Sequence, residues 1–191
     1  IKEDKVSFIK DISGLNYRLA GEVIGAANEA VPMILKGGGI KNTLIISPPG
    51  AGKTTMLRDI VRQLSYKSYR VSVVDERSEI AALCEGRSAF DLGFSTDVLE
   101  GVDKAEGMLM VLRSMSPDVI VTDEIGKQSD IDAIERITNS GAAVIATIHG
   151  RNIDMIKRRD DLKRMLKFFD LIITLSKRKG IGTVEEALTE W

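Results

Sequence analysis

Short apolar runs alternate along this chain with stretches whose apolar residues recur at helical spacing. The runs are Thr43-Leu44-Ile45-Ile46, Val71 to Val74, Val119-Ile120-Val121, Ala142 to Ile148 and Leu171 to Leu175. Between them, Met56, Leu57, Ile60, Val61 and Leu64 mark one helix with a single buried face, and Ala105, Met108, Leu109, Leu112 and Met115 mark another over about 103–115. Ile131, Ile134 and Ile137 mark a third, and a last helix is expected around 160–168. Strand-length runs separated by amphipathic helices are βαβ units, so the fold class is α/β: a mainly parallel sheet with helices on both faces. Gly180 and Gly182 before Thr183-Val184 predict a closing hairpin. Upstream, Val23, Ala26, Ala27, Ala30 and Val31 predict a helix, and Gly37-Gly38-Gly39 its connection to the first strand. The stretch 77–103 carries no clear period and is expected to be an irregular insertion.

The first strand runs into Ser47-Pro48-Pro49-Gly50-Ala51-Gly52-Lys53-Thr54, followed by Thr55 and a helix-forming stretch. Strand, glycine-rich turn and helix together are the setting of a phosphate-binding loop. Gly50 and Gly52 let backbone N–H groups approach an anion without a Cβ in the way. The following helix aims its positive end at the same point. Lys53 supplies an ammonium for the outer phosphates, and the Thr54 hydroxyl is a candidate Mg²⁺ ligand. The pattern G-x-x-x-x-G-K-[ST] opens on glycine, whereas this chain has Ser47. The anion nest lies further along, at residues 50–54. A nucleoside triphosphate is the expected ligand, with Pro49, Gly50, Ala51, Gly52, Lys53, Thr54 and Thr55 as its binding residues.

Composition narrows the class without naming a ligand. The chain has 191 residues, enough for one sizeable core, and its 43% apolar and 29% charged content is that of a globular domain. With 27 basic and 28 acidic residues the net charge is −1, so bulk charge steers the protein to neither nucleic acid nor anionic lipid, and no nucleic-acid partner is expected. One cysteine, Cys84, excludes an internal disulfide and suits a reducing cytosol. No apolar run approaches the ~18 residues needed to span a bilayer.

Parallel sheets bind ligands at the carboxyl ends of their strands. Four of the runs end in reactive groups: the phosphate loop, Asp75-Glu76, Asp123-Glu124 and Thr147-Ile148-His149. Asp123 is the candidate for holding Mg²⁺ through water, together with Thr54. Glu124 is placed to polarise a water attacking the terminal phosphoryl group, which fits a hydrolase better than a kinase. His149, the single histidine, is a candidate sensor of the terminal phosphate, a role Thr147 can share. Asp75-Glu76-Arg77-Ser78-Glu79 offers a second acidic group and an arginine. Arg77, Arg87 and Arg113 are candidate phosphate contacts, within the subunit or across to a neighbour, and Arg18 is a candidate adenine neighbour. Lys157-Arg158-Arg159 and Lys163-Arg164 around Asp160-Asp161 read as one basic helix, either a solvated face or a phosphate lid.

These residues resemble a known family. Ile45 to Asp59, Asp75-Glu76-Arg77-Ser78-Glu79-Ile80, Arg113 to Gly126 and Ala146-Thr147-Ile148-His149-Gly150 closely resemble the stage III sporulation protein AA family, from about Ile12 to Glu185. That family looks like a branch of the type II/IV secretion ATPases. The resemblance implies a RecA-like P-loop core, ATP and Mg²⁺ as cofactors, ATP hydrolysis and a hexameric ring in the full-length form. It also implies coupling to a membrane complex, with the protein cytoplasmic or peripheral on the mother-cell side of the forespore membrane. Glu76 and Glu79 then fall in an acidic box, Arg113 in an arginine segment and His149 in a histidine box. Secretion ATPases commonly have glycine where this chain has Asp123, so the base role stays divided between Glu76 and Glu124. By the same likeness, residues 1–42 are expected to be an N-terminal segment and linker, the remnant of a truncated N-terminal domain, and 43–191 the ATPase domain. A small-molecule kinase and a non-hydrolysing ATP-binding scaffold are the competing readings.

Overall fold

In a computed structural model, residues 10–15 and 21–191 are described. Arg18 and part of the 1–42 segment lie outside them. The apolar runs form the centre of a seven-stranded sheet in the order β5-β2-β6-β7-β1-β8-β9. Its strands are β1 (Thr43–Ser47), β2 (Val71–Asp75), β5 (Thr96–Glu100), β6 (Val119–Thr122), β7 (Ala143–His149), β8 (Leu171–Ser176) and β9 (Thr183–Leu188). All neighbours pair in parallel except β8 with β9, the hairpin expected at the end of the chain.

Both faces of the central strands are covered, which is why they read as continuous apolar runs. Leu44 and Ile46 of β1 enter one core cluster, and Ile45 between them enters the other. On the first face lie α3 (Lys104–Ser114) and α4 (Gln128–Ser140), with the short helices α5 (Ile153–Lys157) and α6 (Asp160–Met165). On the second lie α1 (Ala30–Ile34) and α2 (Lys53–Tyr66). The start of α3 is set by Asp103, whose carboxylate accepts the backbone N–H groups of Ala105 (3.1 Å) and Glu106 (3.3 Å), two of the donors a helix start leaves free.

Three sequence expectations are corrected. The upstream helix shrinks to Ala30–Ile34, preceded by turns. The stretch 77–103 holds a small hairpin of β3 (Leu83–Cys84) and β4 (Arg87–Ser88), and then β5, an edge strand paired with β2. With only Val98 and Leu99 apolar, β5 gives no run to recognise, and an edge position tolerates its exposed Asp97. The basic helix expected around 157–164 is two helices broken at Arg158-Arg159. Their Ile153, Ile156, Leu162 and Met165 belong to the core, so the pair is a packed layer of the domain.

Candidate functional site

The carboxyl ends of β1, β2, β6 and β7 meet on one rim. Ser47 is in register with His149, and Thr122 with both Ala146 and Val74. A cavity of about 640 Å³ opens there, lined by Pro49, Gly50, Gly52, Lys53, Thr54 and Thr55 from the loop and helix start. Glu124, His149, Ser78, Glu79, Arg58, Gly21 and Ile181 complete it. Thus Lys53, Glu124 and His149, chosen from the sequence, share one pocket.

The loop has the backbone its composition predicts. Gly50 and Gly52 take φ of 65° and 90°, the left-handed region in which a Cβ is costly. At Gly52 a Cβ would also lie 2.9 Å from Ile181 Cγ2 and 3.2 Å from the backbone nitrogen of Gly182. α2 starts at Lys53 and runs 14 residues, so its unpaired N–H groups and positive end face the cavity. Ala51 is fully buried and contributes backbone alone: its carbonyl accepts the Gly182 N–H at 3.0 Å.

Glu124 is held from four sides. Its carboxylate pairs with the Lys53 ammonium through Oε1 and with Arg77 Nη1 at 3.0 Å through Oε2. Its backbone N–H donates to the Thr147 hydroxyl (2.8 Å), and its carbonyl accepts from Lys104 Nζ (3.1 Å). Its φ is 34°, an uncommon conformation for a residue with a side chain and one kept where the surroundings over-determine it. The hydrogen bond from Lys53 is the main influence on its pKa, aided by the charges of Lys53, Arg77 and Lys104. Together they hold the carboxyl below its ordinary range against partial burial.

Asp123 and Glu76 point elsewhere. Neither lines the cavity. Asp123 is 3% exposed, its Oδ1 lies 3.5 Å from Lys104 Nζ, and that oxygen accepts no hydrogen bond among the described residues. Burial raises its pKa, opposed by Lys104 and reinforced by the charges of Asp75 and Glu124. Glu76 is paired with Lys104 (3.5 Å) and Lys127 (3.7 Å). Arg113 lies at the far end of α3. Lys104 at the near end touches the Glu124 carbonyl, and nine residues of helix carry the chain about 13 Å away. Arg113 is therefore exposed on the rim opposite its own pocket. Among the described residues, none of the basic side chains at 157–164 lines the cavity.

Sequence reasoning missed two buried cations. Lys104, 4% exposed, ties the ends of β2 and β6 to the start of α3 through Glu76, Asp123 and the Glu124 carbonyl. The signal was its spacing: Lys104, Met108 and Val111 form one i, i+4, i+7 stripe. Arg58, 3% exposed, donates to the carbonyls of Gly21 (2.6 Å), Glu79 (2.9 Å) and Ile80 (2.8 Å), with its guanidinium over the Phe90 ring. It is part of the cavity lining. Asp75, predicted at the rim, is fully buried; it accepts the N–H groups of Glu79, Ile80 and Ala81 and folds the acidic loop onto the pocket.

The profile of the sporulation stage III protein AA family matches residues 1–190. The chain belongs to that family. It is 40% identical over 188 residues to stage III sporulation protein AA of Bacillus subtilis, covering 95% of this chain but 61% of that protein. It is also 30% identical over 159 residues to protein SEEDLING PLASTID DEVELOPMENT 1 of Arabidopsis thaliana, covering 81% of this chain and 22% of that one. Among solved structures, it resembles the VirB11 ATPase of the Brucella suis type IV secretion system in complex with sulphate. There the TM-score is 0.59 at 16% identity, over 85% of this chain and 50% of that one. The pilus retraction motor PilT with bound ADP gives a TM-score of 0.54 at 21% identity, over 70% of this chain and 42% of that one. Likeness at these identities establishes the fold alone: this family member shares the mainly parallel, RecA-like α/β fold of those structures.

Proposed function

We propose that this chain binds ATP with Mg²⁺ on the 47–54 loop and hydrolyses it, as the catalytic core of a secretion-ATPase-type motor energising a sporulation-associated membrane complex. The observation that carries the reading is the shared cavity, which Lys53, Glu124 and His149 line together with the glycine loop at the start of α2. Its volume of about 640 Å³ suits a nucleotide, and side-chain-free positions at Gly50 and Gly52 leave the backbone donors accessible.

The residues present fit Mg²⁺ in part. Thr54 lines the cavity with a hydroxyl, and Glu124 and Glu79 bring carboxylates that can hold a hydrated ion. Asp123, turned to Lys104, does not reach it as the chain stands. When bound, the ion would neutralise charge on the outer phosphates.

Lys53 and the loop N–H groups bind those phosphates. Glu124, kept ionised by its cations, orients the attacking water and accepts its proton. A carboxylate with a lowered pKa is a weak base, so orientation carries the larger share of its effect. With Glu76 held by Lys104 and Lys127, the base role falls to Glu124. His149 contacts the terminal phosphate and registers its loss. Arg113, exposed on the opposite rim, would act on phosphates of a neighbouring subunit in a ring-forming homo-oligomer. Among the described residues no helix is long and apolar enough to cross a membrane.

Three variants and one titration test this. Lys53→Ala should abolish binding of a fluorescent ATP analogue; normal binding would refute the site. Glu124→Gln should retain binding and stop phosphate release, and unchanged turnover would move the base role to Glu76. Turnover should rise more steeply than protein concentration, in step with assembly measured by sizing, and Arg113→Ala should flatten that rise. Tight ATP retention with concentration-independent, negligible turnover would favour the scaffold reading instead.

A further inference from the structure

The turn between β8 and β9 lies on the phosphate loop. β8 pairs with β1, so it leaves the sheet on the same rim. The Gly182 N–H donates to the Ala51 carbonyl, Ile181 sits against Gly52, and Lys177 Nζ lies 3.1 Å from where a Cβ on Gly50 would be. The turn is well built. Ser176 Oγ accepts the Arg178 N–H (3.2 Å) and donates to Glu185 (2.9 Å), while the Thr183 hydroxyl donates to the Gly180 carbonyl (2.8 Å). The turn carries three cations, Lys177, Arg178 and Lys179, and they differ. Arg178 is paired with Glu185 at 3.0 Å, whereas Lys177 has no ion-pair partner among the described residues. An unpaired ammonium therefore sits beside a loop whose own N–H groups and helix end are positive. That juxtaposition is electrostatically unfavourable until an anion arrives.

We infer that Lys177 is a second phosphate-binding cation of this site, delivered by the β8–β9 turn to the Gly50 side of the loop opposite Lys53, and that it favours triphosphate over diphosphate. The inference rests on the ATP reading above and adds a residue and a selectivity to it. Lys177 does not itself line the cavity, but its exposed side chain lies beside Gly50, which does, and can move onto the ligand without disturbing the fold. The turn then acts as a clasp: Gly182 and Ile181 fix it to the loop, and Lys177 closes on the outermost phosphate.

The test compares fluorescent ATP and ADP analogues, with Mg²⁺, on the wild-type chain and on Lys177→Gln, Lys177→Arg and Lys179→Gln. Lys177→Gln should weaken the ATP analogue about tenfold, the size expected for one charge-assisted hydrogen bond, and the ADP analogue much less. Lys177→Arg should restore most of the loss, and Lys179→Gln, on the same turn, should match wild type. A wild-type ATP-to-ADP ratio in Lys177→Gln would overturn the inference while leaving the ATP reading intact. So would an equal loss of both analogues with a lowered unfolding midpoint, which marks a structural role. A wild-type chain that binds neither analogue would overturn both.

Discussion

Replacing Lys104 with Met isolates the electrostatic core of the rim. Methionine approximates the lysine stem, so packing against Met108 is largely kept and only the ammonium is lost. Asp123 then stays buried with its Oδ1 bare, Glu76 keeps only Lys127, and the Glu124 carbonyl loses its donor. Removing one partner of a buried ion pair costs about 3–5 kcal/mol, most of it the penalty on the charge left behind. Lys104→Met should therefore fall by about that amount in chemical unfolding, with the midpoint lowered and the slope unchanged. Lys104→Met/Asp123→Asn should regain part of it, because the second change removes the stranded charge. The pH dependence has a definite sign. Asp123 has a folded pKa above its unfolded one, so its ionisation subtracts stability as pH rises through the folded value, and losing Lys104 raises that value further. The deficit of Lys104→Met should then be largest near neutral pH and shrink in mild acid, where Asp123 is protonated. A variant within about 1 kcal/mol of wild type at neutral pH, or a deficit that grows on acidification, would refute the reasoning.

Gly52→Ala places a methyl group 2.9 Å from Ile181 in left-handed backbone; a loss of about 1–3 kcal/mol and of ATP-analogue binding is expected, checked by thermal unfolding and titration. Arg58→Met strips three carbonyls of their donor and should cost about 3 kcal/mol in urea unfolding; Arg58→Lys should rescue little, since one ammonium cannot reproduce the guanidinium fork. Glu124 has a lowered pKa, so its contribution is present above its unfolded pKa and lost as pH falls through the folded value. The acid side of the stability–pH curve should be shallower in Glu124→Gln, and an identical curve would remove the Lys53 pairing as its cause.

What could be read in the sequence was whatever depends on neighbours along the chain. A strand buried on both faces writes itself as an apolar run, and a loop that must wrap an anion writes itself as Gly50, Gly52 and Lys53. Four strand ends on one rim follow from parallel pairing alone, which is why Lys53, Glu124 and His149 were found together. The hidden features depend on contacts distant in sequence. Asp123 looked like the metal carboxylate because it ends an apolar strand, but a lysine 19 residues earlier turns it inward. β5 was hidden because an edge strand needs no apolar run. Lys177 and Ile181 reach the loop because β8 lies beside β1, a neighbour relation that no local pattern encodes.

The Lys53–Glu124 pair sets a condition on the proposed chemistry. Lys53, the phosphate lysine of the proposal, is paired with the carboxylate that would orient water. A phosphate entering the loop must take Lys53 from Glu124, so binding frees the carboxylate only as the phosphates arrive. Arg77 remains on the other oxygen, and Thr147 and Lys104 hold the backbone, so the freed group keeps its place. This gate makes a directional claim. Glu124→Gln lacks the charge that competes for Lys53, so it should bind the ATP analogue more tightly than wild type while turning over less. Weaker binding in that variant, measured by direct titration, would mean that Glu124 serves the bound phosphates through Mg²⁺ rather than guarding Lys53.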